Sequence, residues 1–240
     1  MRPLIGIPPC LDERGRWRPA RDYHYIDAAY ARAVDEAGGL PVYLPGSGDP
    51  EAVVDRLDGL LLPGGDDFPP DRPYPDSVRF DTAPARQRAG DRALLEAALV
   101  QQRPLLAICY GMQLLALACG GSLHYDLATD LPGASPHQLE PAARHPVDLA
   151  PGSRLARLLE TPRPMVNSRH HQAVSDPGRA RVVGTAPDGV AEALELDGPG
   201  FALAVQWHPE SLDPTHRARL FGALVEAART RAGGGPAGRP

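Results

Sequence analysis

A short apolar strand that turns directly into a helix is the feature that most constrains how this chain folds. Residues 104–108 form an apolar run that starts with proline, a pattern typical of a buried parallel strand. After it, Met112 and Leu115 begin a helical repeat of apolar residues, which the glycines at 120–121 end. The pattern therefore places Cys109 at the turn between a strand and a helix.

The position of Cys109 has chemical consequences. A thiol at the N-terminus of a helix faces unpaired backbone N–H groups and the positive end of the helix dipole, and both favour the thiolate. Gly111, two residues later, lets the backbone pass close to a group held by Cys109. The arrangement is that of a nucleophile elbow in which cysteine replaces serine.

The first half of the chain alternates between strands and helices. Apolar spacing predicts strands at residues 3–7, 40–44, 59–62 and 104–108, and helices at 23–37, 50–56 and 84–102, with loops at 11–22 and 68–82. Thr82 is the predicted N-cap of the last of these helices. The alternation indicates an α/β fold with a doubly wound, mostly parallel central sheet and helices on both faces. Ligands of such sheets bind at the carboxyl ends of the strands, where Gly64, Gly65 and Cys109 lie.

The second half has a different pattern. Residues 124–145 are predicted as a loop, and short strands are predicted at residues 146–149, 165–167, 181–185, 190–196 and 201–206. These strands predict a small antiparallel addition that rejoins the sheet. A terminal amphipathic helix is predicted at 215–229. We predict one domain over residues 1–230 and disorder in residues 231–240, which are rich in glycine and proline.

Composition excludes several classes of partner. The formal net charge is −5, which argues against a nucleic acid or an anionic membrane held by charge. The three cysteines are too sparse for a disulfide scaffold and indicate a reducing compartment. No signal-peptide pattern and no apolar run of transmembrane length is present, so a cytoplasmic location is expected.

Residues 205–210 contain a candidate base for the Cys109 thiol. Pro209 biases His208 toward an extended backbone, and residues two apart in an extended chain project to the same side. Glu210 then holds the tautomer of the imidazole while His208 takes the thiol proton, as in a catalytic triad. The simpler alternative is a surface histidine and glutamate that follow a strand.

Backbone donors for an oxyanion are also available. Gly64 and Gly65 end a strand without side chains, so that their N–H groups are candidates for an oxyanion hole together with the N–H of Tyr110. A plain turn is the alternative. A phosphate-binding loop is disfavoured, because the chain has no Gly-Lys-Ser/Thr motif and no lysine.

The polar run at 167–172, Asn-Ser-Arg-His-His-Gln, is a candidate substrate-binding segment. A metal site that joins this run to Cys109 and His208 is the alternative, but adjacent histidines in a strand point to opposite faces, and we predict no metal site. Cys10 and Cys119 are predicted to be structural. The remaining histidines are predicted to be solvated or to lie in loops; they are His24, His124, His137, His145 and His216.

Several motifs together resemble a known family. They lie at residues 5–8, 30–42, 62–67, 107–113, 120–123 with 126–127, 145–147, 166–174 and 205–210. With them the chain resembles class I glutamine amidotransferase domains and, more closely, the γ-glutamyl-γ-aminobutyrate hydrolase family, which shares their fold. The cysteine elbow and the His-Pro-Glu motif are specific to the superfamily. The Asn-Ser-x-His-His-Gln run and the Gly-Gly-x-Pro-Val at 38–42 point to the hydrolase family.

The resemblance implies a flavodoxin-like fold of the class I amidotransferase type and assigns roles to residues. It implies that Cys109 is the nucleophile, His208 the base and Glu210 its partner, with an oxyanion hole formed by the amides of Gly65 and Tyr110. No cofactor is expected. The positions that match residues around a γ-glutamyl group are Gln113, Ser168, His171 and Gln172.

Two departures from the family pattern concern the leaving amine. The hydrolases often have arginine directly after the nucleophile, where this chain has Tyr110, as in many amidotransferases. The helix before the elbow often carries Arg-Asp-x-x-Glu, which Arg88 and Asp91 match only in part.

Three functions compete at this stage. The first is hydrolysis of γ-glutamyl amides, such as γ-glutamyl-γ-aminobutyrate, through a thioester on Cys109. The second is a glutaminase subunit that delivers ammonia to a partner synthase, and the third is a binding domain without catalysis. The expected partner is a small γ-glutamyl substrate, with no nucleic acid and no membrane, and a homodimer is an alternative to a monomer.

Overall fold

The computed structural model describes residues 1–46, 48–198 and 200–234. The strands are β1 Leu4–Ile7, β2 Cys10–Asp12, β3 Tyr23–Tyr25, β4 Leu40–Tyr43, β5 Gly59–Leu62, β6 Leu105–Ile108, β7 Ser122–His124, β8 His145–Pro146, β9 Asp148–Leu149, β10 Met165–Val166, β11 Ala173–Asp176, β12 Arg181–Thr185, β13 Ala191–Glu195 and β14 Ala202–Val205. The helices are α1 Ala28–Glu36, α2 Pro50–Arg56, α3 Ala85–Val100, α4 Tyr110–Ala118, α5 Leu127–Asp130, α6 Arg154–Leu159 and α7 Pro214–Gly234. A 3₁₀ turn spans Pro209–Ser211.

Within the described residues, ten strands form one mixed sheet, whose main path runs in the order β4-β1-β5-β6-β14-β13-β11-β7. The strands from β4 to β14 are parallel, and those beyond β14 are antiparallel. The doubly wound, mostly parallel sheet with an antiparallel addition is thereby confirmed. In the pairing of β6 with β14, Ile108 lies opposite Val205, so the residues that follow both strands emerge side by side at one edge.

The central strands are apolar at every position because both faces of the sheet are covered. Leu60, Leu62 and Leu105 pack into a core with α2, α3 and α4 on one face. Leu61 and Leu106 pack into a second core with α1, α6 and α7 on the other face. Alternate side chains of a strand point to opposite faces, so each strand contributes to both cores.

The sequence predictions for α2 and β5 are confirmed at both ends. The first helix was predicted from residue 23, but it begins at Ala28, because the Asp27 side chain accepts a hydrogen bond from Ala29 N at 2.8 Å. The preceding residues Tyr23–Tyr25 pair with Cys10–Asp12 as a hairpin, whose first strand extends into the loop predicted at 11–22.

Other boundaries differ from the prediction. Thr82 is not a cap, since α3 follows Pro84 and has no side-chain capping bond. The predicted loop at 124–145 contains the short helix α5, and the sequence analysis missed α6 and β11. Helix α7 continues to Gly234, so the prediction of disorder is wrong for residues 231–234, and residues 235–240 lie outside the described residues.

None of the helices in the described part of the chain has the length and the apolar character that crossing a membrane requires.

Candidate active site

Cys109 lies at the sharp turn between β6 and α4. Its backbone has φ 50° and ψ −104°, a conformation that residues other than glycine rarely adopt. The Cys109 N–H donates to the Val205 carbonyl at 2.8 Å, and the Cys109 carbonyl accepts from Gln113 N at 3.1 Å. These bonds hold the strained turn between the neighbouring strand β14 and the first turn of α4.

Gly111 allows helix α4 to approach β5 closely. A Cβ at this position would lie 2.7 Å from the Leu62 carbonyl oxygen and 2.8 Å from the Leu62 Cβ. Because one of the clashing atoms belongs to the backbone, a side chain here would push the helix away from the sheet. Glycine at this position therefore fixes the start of α4, and with it the direction of the Cys109 turn.

His208 follows β14, the strand next to Cys109 in the sheet. The side chain of Asn167 binds its backbone twice: His208 N donates to Asn167 Oδ1 at 2.8 Å, and Asn167 Nδ2 donates to the His208 carbonyl at 2.9 Å. Asn167 is only 2% exposed. The sequence analysis assigned this asparagine only to a polar run, although its being the one asparagine of the chain was an available signal.

The imidazole of His208 is held on its Nδ1 side. Glu210 Oε1, in the 3₁₀ turn, lies 2.7 Å from Nδ1, and the Tyr30 hydroxyl lies 3.2 Å from the same atom. Burial acts to lower the pKa of His208, but its interactions with Cys109 and then Glu210 outweigh burial and raise the pKa to about 10. The raised pKa favours a charged imidazolium between the Cys109 sulfur and the Glu210 carboxylate.

The turn after β5 packs against this histidine. Gly64 N donates to the Tyr30 hydroxyl at 3.0 Å, and a Cβ on Gly64 would lie 2.7 Å from His208 Cε1. The Cys10 thiol donates to the Gly64 carbonyl at 3.7 Å. Burial raises the pKa of Cys10 to about 12, so this second nearby cysteine remains a thiol.

A cleft of about 600 Å³ opens above Cys109. We refer to it as the Cys109 cleft. Five of the residues assigned from sequence line it: Gly65, Cys109, Gln113, His171 and Gln172. Other described lining residues, such as Asp67, Arg79 and Asp126, were not assigned to the site from the sequence.

Ser168 differs from the prediction of a substrate-binding role. It is buried, with 1% exposure, and its hydroxyl donates to the His137 carbonyl at 2.5 Å. Ser168 is also absent from the described lining of the Cys109 cleft. Its hydroxyl is therefore used inside the protein, where it fastens one loop to another.

The two glutamines assigned to substrate contact also brace the cleft wall. The side-chain amide of Gln172 makes two hydrogen bonds with the backbone of Phe68. Phe68 N donates to Gln172 Oε1 at 2.8 Å, and Gln172 Nε2 donates to the Phe68 carbonyl at 2.9 Å. Gln113 Nε2 donates to the Gln172 carbonyl at 2.9 Å. These bonds hold the loop after β5 against the 167–172 run.

The side chain of Tyr110 turns away from the thiol, while its backbone directly follows Cys109. The ring stacks on Phe68 with centroids 4.7 Å apart, and the hydroxyl donates to Asp91 Oδ2 at 3.1 Å. Burial raises the pKa of Asp91 to about 6. Tyr110 thus joins α4 to α3, and only its amide is available to a group bound at Cys109.

His171 is paired with carboxylates at the rim of the cleft. Its Nε2 lies 3.1 Å from Asp67 Oδ1, and its Nδ1 lies 3.3 Å from Asp126 Oδ1. The hydrogen bond to Asp67 is the main cause that raises the pKa of His171. The sequence analysis did not assign either aspartate to the site, since only the fold brings them to this histidine.

The fold is that of class I glutamine amidotransferase domains. The chain superposes with a TM-score of 0.68 on the glutaminase domain of a Trypanosoma brucei CTPS solved with bound acivicin, at 16% identity, covering 95% of this chain and 94% of that one. At this identity the likeness concerns the fold alone.

The chain belongs to the Peptidase C26 family, whose model matches residues 3–210. It is 42% identical to Rv2859c of Mycobacterium tuberculosis, which is provisionally named a glutamine amidotransferase; the match covers 97% of this chain and 77% of that protein. It is 35% identical to the γ-glutamyl-γ-aminobutyrate hydrolase PuuD of Escherichia coli, over 87% of this chain and 85% of that protein. The family predicted from the sequence motifs is confirmed.

Proposed function

We propose that the protein hydrolyses γ-glutamyl amide bonds through a thioester on Cys109. The class of enzyme follows from its family, a glutamine amidotransferase-like family of hydrolases. The observation that carries the proposal is the pairing of β6 with β14, in which Ile108 lies opposite Val205. This pairing brings the strained cysteine and the Glu210-bound His208 to the same edge of the sheet.

The proposed chemistry has two halves. The proton of the Cys109 thiol passes to His208, and the sulfur attacks the γ-carbonyl carbon and forms a C–S bond. The carbonyl oxygen takes the electron pair of the broken C=O π bond and becomes an oxyanion near the amides of Gly65 and Tyr110. The imidazolium of His208 then donates its proton to the nitrogen as the C–N bond breaks, and the amine leaves. Glu210 stabilises the charged ring through the 2.7 Å contact at Nδ1.

Water completes the cycle. His208, now neutral, takes a proton from a water molecule that attacks the thioester carbonyl. The same amides stabilise the second oxyanion, and its collapse breaks the C–S bond. Glutamate leaves, and Cys109 and His208 return to their starting state without a cofactor.

The charges of the cleft support a substrate that carries both carboxylate and amine groups. Arg79 and Arg169 line it, together with Asp66, Asp67 and Asp126. The carboxylate of Asp66 is already engaged by Tyr25, at 2.8 Å from its hydroxyl. We propose that the arginines bind carboxylates of the substrate, such as the carboxylate of the glutamyl group and that of γ-aminobutyrate.

The test is glutamate release from a panel of γ-glutamyl amides, scored by kcat/KM. Replacing the nucleophile, Cys109→Ala, is expected to lower kcat by at least about 10³-fold. Cys119→Ala is the matched control. Cys119 is buried in the hydrophobic core at the end of α4 and lies outside the described lining of the cleft. Full turnover by the Cys109→Ala protein would overturn the mechanism.

A glutaminase subunit is the second candidate, favoured by Tyr110 after the nucleophile and by the name of the Mycobacterium tuberculosis relative. That function predicts weak ammonia release from glutamine by the isolated chain and strong activation by a partner synthase. Steady turnover of γ-glutamyl amines by the isolated chain, well above that of glutamine, would decide for the hydrolase.

A further inference from the structure

Three histidines converge on one buried glutamate beside the Cys109 cleft. Around Glu192 Oε1 lie His137 Nδ1 at 3.2 Å, His170 Nε2 at 3.5 Å and His145 Nε2 at 3.8 Å. Glu192 is fully buried, and His137 and His170 are each 4% exposed. The sequence analysis expected His137 and His145 to be solvated or in loops, and the structure instead places His137 inside the protein.

The other nitrogen of each imidazole is held by an oxygen that only accepts hydrogen bonds. These contacts are His137 Nε2 with Asp188 Oδ2 at 3.0 Å, His145 Nδ1 with the Pro146 carbonyl at 3.2 Å, and His170 Nδ1 with the Gln172 carbonyl at 3.0 Å. Each of these outer nitrogens must therefore carry the hydrogen. In a neutral ring, the inner nitrogen then directs a lone pair toward the carboxylate of Glu192.

Hydrogen bonds do not account for the centre of this cluster. Within the described residues, His145 Nε2, His170 Nε2 and both carboxylate oxygens of Glu192 are buried without a hydrogen-bond partner. Lone pairs that face a buried carboxylate repel it, and an uncompensated buried carboxylate is strongly destabilising. A cation at the centre would convert this repulsion into attraction.

We propose that His137, His170 and Glu192, with His145 as the fourth ligand, bind one divalent ion of the Zn²⁺ type. The inner atoms of His137, His170 and Glu192 lie within 4.8 Å of one another. Two ligands of a tetrahedral zinc ion, at its usual bond lengths, are about 3.3 Å apart. The distances of 3.2 and 3.5 Å from Glu192 to His137 and His170 are close to this value. His145, at 3.8 Å from Glu192, lies outside this group of three and must shift further to become the fourth ligand.

The hydrogen bonds to the outer nitrogens have the form seen around bound zinc. A metal-ligating histidine usually donates its other N–H to a carboxylate or to a backbone carbonyl, which fixes the tautomer and the ring orientation. Asp188 does this for His137, and backbone carbonyls do it for His145 and His170. Imidazole nitrogens with one carboxylate are ligands suited to Zn²⁺ and unsuited to Ca²⁺ or Mg²⁺.

The ion would have a structural role rather than a catalytic one. With four protein ligands no coordination position stays open for water, which is typical of structural zinc. The ligands come from the loop before β8, from β8, from the segment before β11 and from β13. Bound zinc would hold the 137–145 region and the 167–172 run on the sheet, next to the wall of the cleft.

The test uses the full chain without an affinity tag. The protein is dialysed against a chelator, incubated with Zn²⁺, passed through gel filtration and measured for metal and for thermal unfolding. We expect about one Zn²⁺ per chain and a rise in Tm of about 5 °C or more. Replacement by Co²⁺ should give the visible absorption of a tetrahedral ion.

His170→Ala and His171→Ala form a matched pair, since these neighbours point to different surroundings. His170→Ala is expected to lose Zn²⁺ binding, while His171→Ala, which removes a contact with Asp67, is expected to keep it. A wild-type protein that retains no Zn²⁺ would overturn the proposal. In that case a proton on one of the imidazole rings, rather than a metal ion, compensates the charge of Glu192. Equal loss in both variants would also overturn the proposal.

Discussion

At His208, one amide side chain holds the backbone and one carboxylate holds the ring. Asn167 binds both the N–H and the carbonyl of His208, and Glu210 binds Nδ1. The ring of His208 also interacts with the Cys109 thiol. In the mechanism proposed above, a shift of this ring would change the transfer of the proton. We therefore propose that Asn167 is a positioning residue, which acts through His208.

Replacing the clamp should slow the reaction without weakening substrate binding. Asn167→Ala removes two hydrogen bonds, each worth about 1 kcal/mol, and we expect kcat to fall about 10- to 100-fold with KM nearly unchanged. Steady-state kinetics measure the split. Asn167→Asp keeps the acceptor for His208 N and should recover part of kcat; a rise in KM at constant kcat would instead indicate a contact with substrate.

The raised pKa of His208 predicts a pH dependence of stability. The unfolded ring titrates near 6.5 and the folded ring at about 10, so the folded state holds the proton more tightly. The stabilisation from the charged ring is complete below pH 6.5 and is lost as pH rises through 10. The difference in unfolding free energy between the wild type and His208→Gln should therefore shrink across this window in denaturant titrations.

Glu210→Gln serves as the control for that measurement. It keeps the size of the side chain and removes one of the charges that raise the pKa of His208. When His208→Gln is made in the Glu210→Gln protein, the change in unfolding free energy that it causes should shrink at a lower pH than it does in the wild type. A difference that stays flat from pH 6 to 10 would contradict the charged imidazolium.

At the scale of elements, the close packing of α4 on β5 fixes the cysteine turn. Gly111 lies where a Cβ would meet the Leu62 carbonyl oxygen at 2.7 Å. The turn itself is strained, and strained turns persist only when the surrounding structure holds them. The helix that follows Cys109 is thus part of the machinery that directs its thiol.

Two helical glycines offer a matched comparison. Gly111→Ala should destabilise the protein by about 1–3 kcal/mol, because the helix must move from the strand. Gly222→Ala in α7 should stabilise it by about 0.5–1 kcal/mol, since a Cβ there meets nothing within 4 Å and alanine favours a helix. Thermal unfolding of the two variants measures these effects. Equal effects would show that the close contact between Gly111 and β5 does not exclude a Cβ.

At the scale of the whole molecule, a buried carboxyl connects α3 to the Cys109 turn. Asp91 is 6% exposed and accepts a hydrogen bond from Tyr110, the residue after Cys109. Burial raises the pKa of Asp91 from 3.8 to about 6. At neutral pH Asp91 is therefore ionised in the folded protein, although its buried surroundings favour the protonated acid.

This predicts an acidic window in the stability of the molecule. The folded state binds the proton of Asp91 up to about pH 6, so its contribution to stability falls as pH rises from about 4 to 6. Asp91→Asn removes the charge and should stabilise the protein at pH 7 by about 2–3 kcal/mol, with little gain at pH 4. Chemical denaturation at both pH values measures this.

Tyr110→Phe tests the origin of that effect. It keeps the stacking on Phe68 and removes the hydrogen bond that lowers the pKa of Asp91. The fall in stability that the titration of Asp91 causes should then continue to a higher pH than in the wild type. An Asp91→Asn gain that is the same at pH 4 and pH 7 would show that Asp91 does not titrate as described.

The sequence by itself determined the features that depend on neighbours along the chain. The bounds of α2 follow from Asp49 and Pro50 at its start, and the apolar run of β5 reflects burial on two faces. The turn at Cys109 and the His-Pro-Glu segment carry local patterns that indicated the family. Each of these signals lies within a few residues, where propensity and periodicity act.

Tertiary structure decided what those residues meet. The pairing of β6 with β14 joins positions that are far apart in the chain, and the Asn167 clamp, the buried Ser168 and the group around Glu192 all depend on it. A polar run shows from sequence which side chains are present, but not which of them face solvent. Strand order and burial decide that, because a buried polar group must find its partners among whichever elements the sheet places beside it.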